Sequence, residues 1–211
     1  VKTFPVLNML NTKYFILPLQ GGTTAPIQNP YAQGNGWFVN KLNYVDDANA
    51  EYAEVGKIDV RHEAVADKKF EATLGQAKTN DSTATVKLDK YEPNNLQYTV
   101  NSKNGGVVVF SEIYYPHGWH LTLDGKEELP LVRADYTLRA AYIPAGTHEL
   151  TMTFDPASIH HTELVAKICT ALLALLLLAS LVQPFLKSKD KQATHRQHST
   201  FIIFITRSHR F

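Results

Sequence analysis

From residue 84 onward, apolar positions alternate with polar ones in short runs broken by turn signals. Ala84, Val86 and Leu88 fall on one face of a strand over 83–88. Leu96, Tyr98 and Val100 share a face of the next. Asn104-Gly105-Gly106 is a strong hairpin turn leading into a strand over 107–113. Trp119, Leu121 and Leu123 alternate up to the turn pair Asp124-Gly125. Runs over 129–132, 137–143 and 148–154 complete the series, with Pro144-Ala145-Gly146 as a further turn. Strands spaced about ten residues apart, with turns between them, predict an antiparallel β-sandwich.

Upstream the pattern is less regular. A short helix is expected around 7–10 and a strand over 14–17, ended by Pro18. Residues 19–36, rich in glycine, proline and asparagine, read as loop. Residues 37–39 and 42–45 read as strand. A short helix over 48–55 follows, capped by Asp46 or Asp47 and stopped at Gly56, with Glu51 solvating it. Residues 57–70 read as a link.

After residue 154 the pattern changes again. ICTALLALLLLASLV, from Ile168 to Val182, carries no charge and no polar stripe. At about 1.5 Å per residue, roughly 20 such residues cross a ~30 Å hydrocarbon core. Counted over 164–186, with Lys167 snorkelling at one end and Gln183-Pro184 at the other, the run is long enough to span. A buried core helix is the alternative, but a helix packed at a surface keeps a polar face. Lys187, Lys189, Lys191 and Arg196 follow the run, so the C-terminus is expected in the cytoplasm and residues 1–160 outside it.

The expected organisation is an N-terminal α+β segment over 1–82, a β-sandwich over 83–158, a transmembrane helix over 164–186 and a basic tail over 187–211. The fold class is mainly β, within α+β. The start VKTFPVLNMLNTKYFILPLQ has no export-signal pattern and no initiating methionine, so an upstream membrane segment is expected.

Composition narrows the chemistry. The formal net charge is +1, which gives no bulk pull on nucleic acid. The lone Cys169 sits in the apolar run and leaves the remainder with no disulfide framework, thiol nucleophile or zinc ribbon. Gly34-Asn35-Gly36 lacks the strand-to-helix context of a nucleotide loop. The adjacent His160-His161 diverge on any regular element, and no second cluster has ligand spacing. Neither a cofactor nor a metal is called for, and no catalytic constellation emerges.

Two groups of residues suit a saccharide. Tyr114, Tyr115 and Trp119 offer aromatic faces, although neighbouring tyrosines on a strand point to opposite sides, and a sandwich tryptophan is commonly core. Arg133, Asp135 and Arg139 offer guanidinium forks for phosphate or carboxylate; the alternative is a solvated hairpin with its own ion pairs. Tyr114, Trp119, Arg133, Tyr136 and Arg139 are therefore the candidate glycan-binding residues.

The segment SEIYYPHGWHLTLDGKEELPLVRADYTLRAAYIPAGTHELTMTFDP carries a specific pattern: Tyr114-Tyr115-Pro116, Gly118-Trp119, Asp124-Gly125, then Arg133, Asp135-Tyr136 and Arg139, closed by Pro144-Ala145-Gly146. It resembles the extracytoplasmic C-terminal region of YfhO-type bacterial integral membrane proteins. LNMLNTKYFI and NPYAQGNGWFV resemble that family's sequence before the sandwich, so the likeness covers roughly residues 4–186. Residues 194–211 fall outside it. The family in turn resembles C-class membrane glycosyltransferases, which have many spans and take lipid-linked sugars outside the membrane. In those enzymes the catalytic acid lies in a loop between early spans, so this chain alone is expected not to catalyse. The partners implied are a lipid bilayer, upstream transmembrane helices of a longer protein, and an envelope glycan or lipid-linked sugar. A membrane-anchored, non-enzymatic carbohydrate- or protein-binding sandwich is the alternative.

Overall fold

The computed structural model describes residues 4–19, 21–77 and 81–207, with side chains described as far as Pro184. The chain divides into two compact units, 1–156 and 157–211. Among its described residues the first holds thirteen strands: β1 Tyr14–Pro18, β2 Thr24–Gln28, β3 Gly36–Phe38, β4 Lys41–Val45, β5 Glu63–Asp67, β6 Thr85–Glu92, β7 Asn95–Ser102, β8 Gly106–Ile113, β9 Trp119–Leu123, β10 Glu127–Leu129, β11 Val132–Ala134, β12 Leu138–Ile143 and β13 Gly146–Phe154. Its helices are α1 Pro5–Met9, α2 Ala48–Val55 and α3 Glu71–Leu74. The second unit is one helix, α4 Ala157–Arg207.

Two antiparallel sheets form the sandwich. One has the order β10-β9-β13-β7-β6, the other β11-β12-β8-β3. Leu96, Tyr98 and Val100 of β7, Leu121 and Leu123 of β9, and Leu150 and Met152 of β13 meet Val108, Phe110, Ala141 and Ile143 from the facing sheet. Alternation works here because each of these five-stranded-sheet residues points inward while its neighbours face outward.

The four-stranded sheet is buried on both faces. Val107, Val109, Val132, Ala134, Leu138 and Ala140 point the other way, into a second core with Met9, Val39, Leu42, Val55, Val60 and Leu74. This is why β8 and β12 read as near-continuous apolar runs, GVVVF and LRAAYI, where one-sided strands alternate. The layer covering this second face is the parallel pair β4-β5 together with α2 and α3.

Several expectations are corrected by this arrangement. The stretch 19–36 is not all loop: β2 pairs with β1, from Tyr14 opposite Gln28 to Pro18 opposite Thr24. The link 57–70 contains β5, whose Ala64, Val65 and Ala66 are wholly buried. A short Ala-Val-Ala run between charged residues has no period-two signature, yet it is what a two-sided parallel strand looks like. Residues 37–45 form two strands in different sheets, and residues 129–132 likewise split between β10 and β11. β3 ties residues 36–38 into the same sheet as β8, across the expected boundary at 82/83. Asp47 does cap α2, accepting a hydrogen bond from the Ala50 amide at 2.8 Å.

Within α4, residues Ala157–Pro184 are long and apolar enough to cross a membrane. They extend about 42 Å at 1.5 Å per residue, more than a ~30 Å core requires. The leucines at 172, 173, 175–178 and 181 are all exposed, a surface that lipid covers and water does not. The backbone of 187–207 is helical. The lysines expected to mark the cytoplasmic side, and residues 208–211, lie outside the described side chains.

Phe110 tests the sandwich core, since it is fully buried and its ring meets Tyr98 edge-on at 5.1 Å. Phe110→Ala should destabilise the domain by about 3–5 kcal/mol. Tyr91→Ala, on an exposed strand position, should stay within about 0.5 kcal/mol. Thermal unfolding of the full chain in detergent reads the difference, and equal melting temperatures would contradict this core.

Candidate functional site

The loop between β11 and β12 is held in a conformation that L-residues rarely adopt. Asp135 and Tyr136 have φ of +49° and +67° in succession. Each such residue costs on the order of 1–3 kcal/mol, so the loop persists only because its surroundings fix it. The Asp135 amide donates to the Val65 carbonyl at 2.8 Å, and Asp135 Oδ1 accepts from the Val65 amide at 2.8 Å. The Tyr136 amide donates to Glu51 Oε1 at 2.8 Å. One strand and one helix of the covering layer thus clamp the turn from beneath.

Glu51 is fully buried, contrary to the expectation that it solvates its helix. It lies one helical turn before the buried Val55, so both share the inward face of α2. Its Oε2 accepts from Arg133 Nη2 at 2.7 Å and Nε at 3.2 Å, which satisfies the carboxylate and fixes the guanidinium. Arg133 keeps 22 % of its side chain exposed and lies 5.8 Å from the Tyr136 ring centroid. Tyr136 meets Tyr52 of α2 edge-on, with ring centroids 5.4 Å apart. Tyr52 is 70 % and Tyr136 46 % exposed. The result is a surface of two phenol rings and one guanidinium on a buried acidic support.

Asp135 has a different electrostatic position. It is wholly buried, and Oδ2 has no hydrogen-bond partner. Burial pushes its carboxyl up to about 7; the Val65 amide works against that rise, and the charge of Glu51 adds to it. A proton on Asp135 avoids placing a second carboxylate charge beside Glu51.

The five sequence candidates fall into two places. Arg133 and Tyr136 belong to the surface just described. Arg139, directly opposite Arg133 in the β11-β12 register, goes elsewhere. It is buried, donates from Nε to the Ile113 carbonyl at 3.0 Å, and lies 3.8 Å from the Trp119 ring centroid. Burial lowers its pKa, and the nearby Glu112 and Tyr98 oppose that effect. Trp119 is half-buried at the rim of the sandwich core, against Phe154 at 5.1 Å. Gly118 before it has φ +93°, and a Cβ there would lie 2.6 Å from Pro156, so a side chain cannot enter this turn. The Tyr114 amide donates to the Thr137 carbonyl, which tethers it beside the Asp135-Tyr136 loop. The hairpin is therefore no freely solvated set of ion pairs: Arg133 reaches across to α2, Asp135 is internal, and Arg139 lies under an indole. Tyr52 and Glu51 were missing from the sequence candidates. The spacing of Glu51 four before Val55 was the available signal, since it places an acid on an inward face.

The family model described as bacterial membrane protein YfhO matches residues 56–166, just over half of the chain, from β5 through β13 and into α4. The chain belongs to the YfhO family. Neither the curated proteins nor the solved structures gave a match. The family assignment and the exposed apolar helix agree on a membrane protein with a β-rich domain. All of the surface residues on the YfhO β11-β12 hairpin lie within the matched range, while Glu51 and Tyr52 precede it.

Asp135 gives a pH dependence of defined sign. An unfolded aspartate titrates near 3.9, and the folded one at about 7. The folded state therefore binds the extra proton between these values, and the associated stability is fully present below the unfolded pKa and lost as pH rises through the folded one. His120 and His148, both raised by their carboxylate partners Glu128 and Asp124, act in the same direction. The informative quantity is thus the difference between variants. Asp135→Asn should flatten the fall in melting temperature between pH 5.5 and pH 8. An unchanged slope would show that Asp135 is ionised in the fold.

Proposed function

We propose that this chain forms the extracytoplasmic domain and terminal span of a glycosyltransferase-like YfhO protein that transfers sugar from a lipid-linked donor to a cell-envelope acceptor. In this reading the domain holds or shapes the acceptor glycan, and the reacting groups come from membrane segments upstream. The carrying observation is the exposed Tyr52–Tyr136 pair beside Arg133, with Glu51 fixing the guanidinium from below. Phenol faces stack on the apolar faces of pyranose rings, their hydroxyls exchange hydrogen bonds with sugar hydroxyls, and a partly exposed guanidinium donates to a phosphate or carboxylate substituent. Polar support from buried groups lets such a site hold its shape without a bound ligand, which lowers the ordering cost of binding.

Saturation-transfer NMR on the full chain in detergent, against a panel of hexose and N-acetylhexosamine glycosides, tests this directly. Signal from at least one glycoside is expected. It should be lost in Tyr52→Ala and Tyr136→Ala, with melting temperatures close to wild type. Saturation that survives in the double variant would move glycan contact away from this surface.

The proposed topology places residues 1–160 outside and the basic tail inside, following the lysines at 187, 189 and 191. With Cys169→Ser as background, Asn104→Cys should react with an impermeant maleimide in intact cells, and Ser188→Cys only after lysis. The reverse pattern would invert the protein.

A further inference from the structure

The β1-β2 ribbon carries a concentration of exposed apolar side chains. Ile16 is 73 % exposed, Tyr14 60 %, Leu19 50 %, Leu17 46 % and Ile27 44 %. From residue 14 to residue 40 there is no charged side chain and no histidine. An exposed strand edge in water is usually guarded by lysine or another charge. This ribbon has none, so water is not the environment its composition fits.

The register shows what does fit. Tyr14 and Ile16 share a face with Pro26, while Phe15 and Leu17 share the opposite face with Ile27 and Ala25. The first face also carries Gln28 opposite Tyr14 and Thr24 opposite Pro18, and exposed apolar side chains stand on both faces. Phe15 is partly covered by Phe4, with ring centroids 6.3 Å apart, and Phe4 itself is 51 % exposed. A protein partner lying flat on the ribbon would bury one face and leave the other wet. Pairing with a third strand is also disfavoured, since Pro18 and Pro26 withhold ladder donors. A lipid interface surrounds an inserted hairpin and covers both faces together. The covalent link to α4, whose surface already calls for lipid, keeps the domain at high effective concentration near a bilayer.

We infer that the β1-β2 ribbon dips into the interfacial region of the lipid bilayer, led by Leu17 and Leu19, by apolar contact that requires no anionic lipid. Its depth is limited to the interface, because both outer edges keep backbone groups that the hydrocarbon core cannot satisfy. The Leu19 amide donates to the Thr23 carbonyl at 2.8 Å, which extends the ribbon's pairing as far as Leu19.

The test uses the full chain, with Cys169→Ser, in vesicles of phosphatidylcholine alone. An environment-sensitive fluorophore is attached at Leu19→Cys or, as a reference, at Tyr91→Cys on the exposed β6. At Leu19 the emission should shift to the blue, and brominated phosphatidylcholine should quench it several-fold more than at Tyr91. Neither effect should change on adding salt or lowering the protein-to-lipid ratio. Adding Ile16→Asp, at an exposed position, should abolish the quenching without moving the melting temperature. Equal quenching at the two positions overturns the inference. So does a shift that disappears on dilution in lipid, which would assign the ribbon to a second copy, or one that needs anionic lipid.

Discussion

The sheet β11-β12-β8-β3 carries apolar side chains on both faces, and neither face can be left to water. One face is covered by the five-stranded sheet, the other by β4, β5, α2 and α3. A sandwich alone would satisfy only the first requirement. The irregular N-terminal segment is thus part of the fold's core: without Val39, Leu42, Val65 and Leu74, the valines 107 and 109 would face solvent. At about 25 cal/mol per Å² of apolar area, coverage of a whole sheet face outweighs any single hydrogen bond in the domain.

That coverage also determines where polar chemistry can occur. The β11-β12 loop passes over the edge of the second core, where backbone groups need partners that an apolar layer cannot supply. Val65 and Glu51 supply them, and in doing so hold Asp135 and Tyr136 at positive φ. The strain is offset by bonds made in a water-poor setting, where an unmade bond is costly. Tyr136 and Arg133 emerge from this clamp at the surface. Packing, strain and the candidate binding surface are therefore consequences of one local accounting of hydrogen bonds.

The one-sided strands were readable in the sequence because alternation encodes a face, as in Leu121–Leu123 and Leu150–Met152. So was the apolar helix, because an uncharged run of leucines has few alternatives. β5 was not readable: Ala64, Val65 and Ala66 are buried on every side, and a short uniform run carries no phase. β2 was hidden by Pro26 and the glycines around it, which signal turns more strongly than a five-residue strand signals itself. Of the site, Arg133 and Tyr136 were visible as residue types, but Glu51 and Tyr52 lie some eighty residues earlier and join them only through the tertiary fold. A carboxylate on a short helix reads as solvated unless the burial of its neighbours is known.

Arg133 and Arg139 show why spacing alone cannot define an anion site. They are direct partners in an antiparallel register, the arrangement that would suit a two-armed grip on phosphate. Two guanidinium charges placed side by side with no anion would repel, and the fold separates them instead. The irregularity between Leu138 and Arg139 in the pairing with β8 accompanies the turn of Arg139 toward Met152 and Trp119. Arg133 reaches Glu51 on α2. Each cation has thereby acquired a partner suited to its depth: a carboxylate for the one near the surface, an indole face and a carbonyl for the one inside. Only Arg133 retains exposed guanidinium, and it does so beside two exposed phenol rings. These exposed aromatic and cationic groups therefore lie on the α2 side of the hairpin, while Arg139 and Trp119 close the rim of the sandwich.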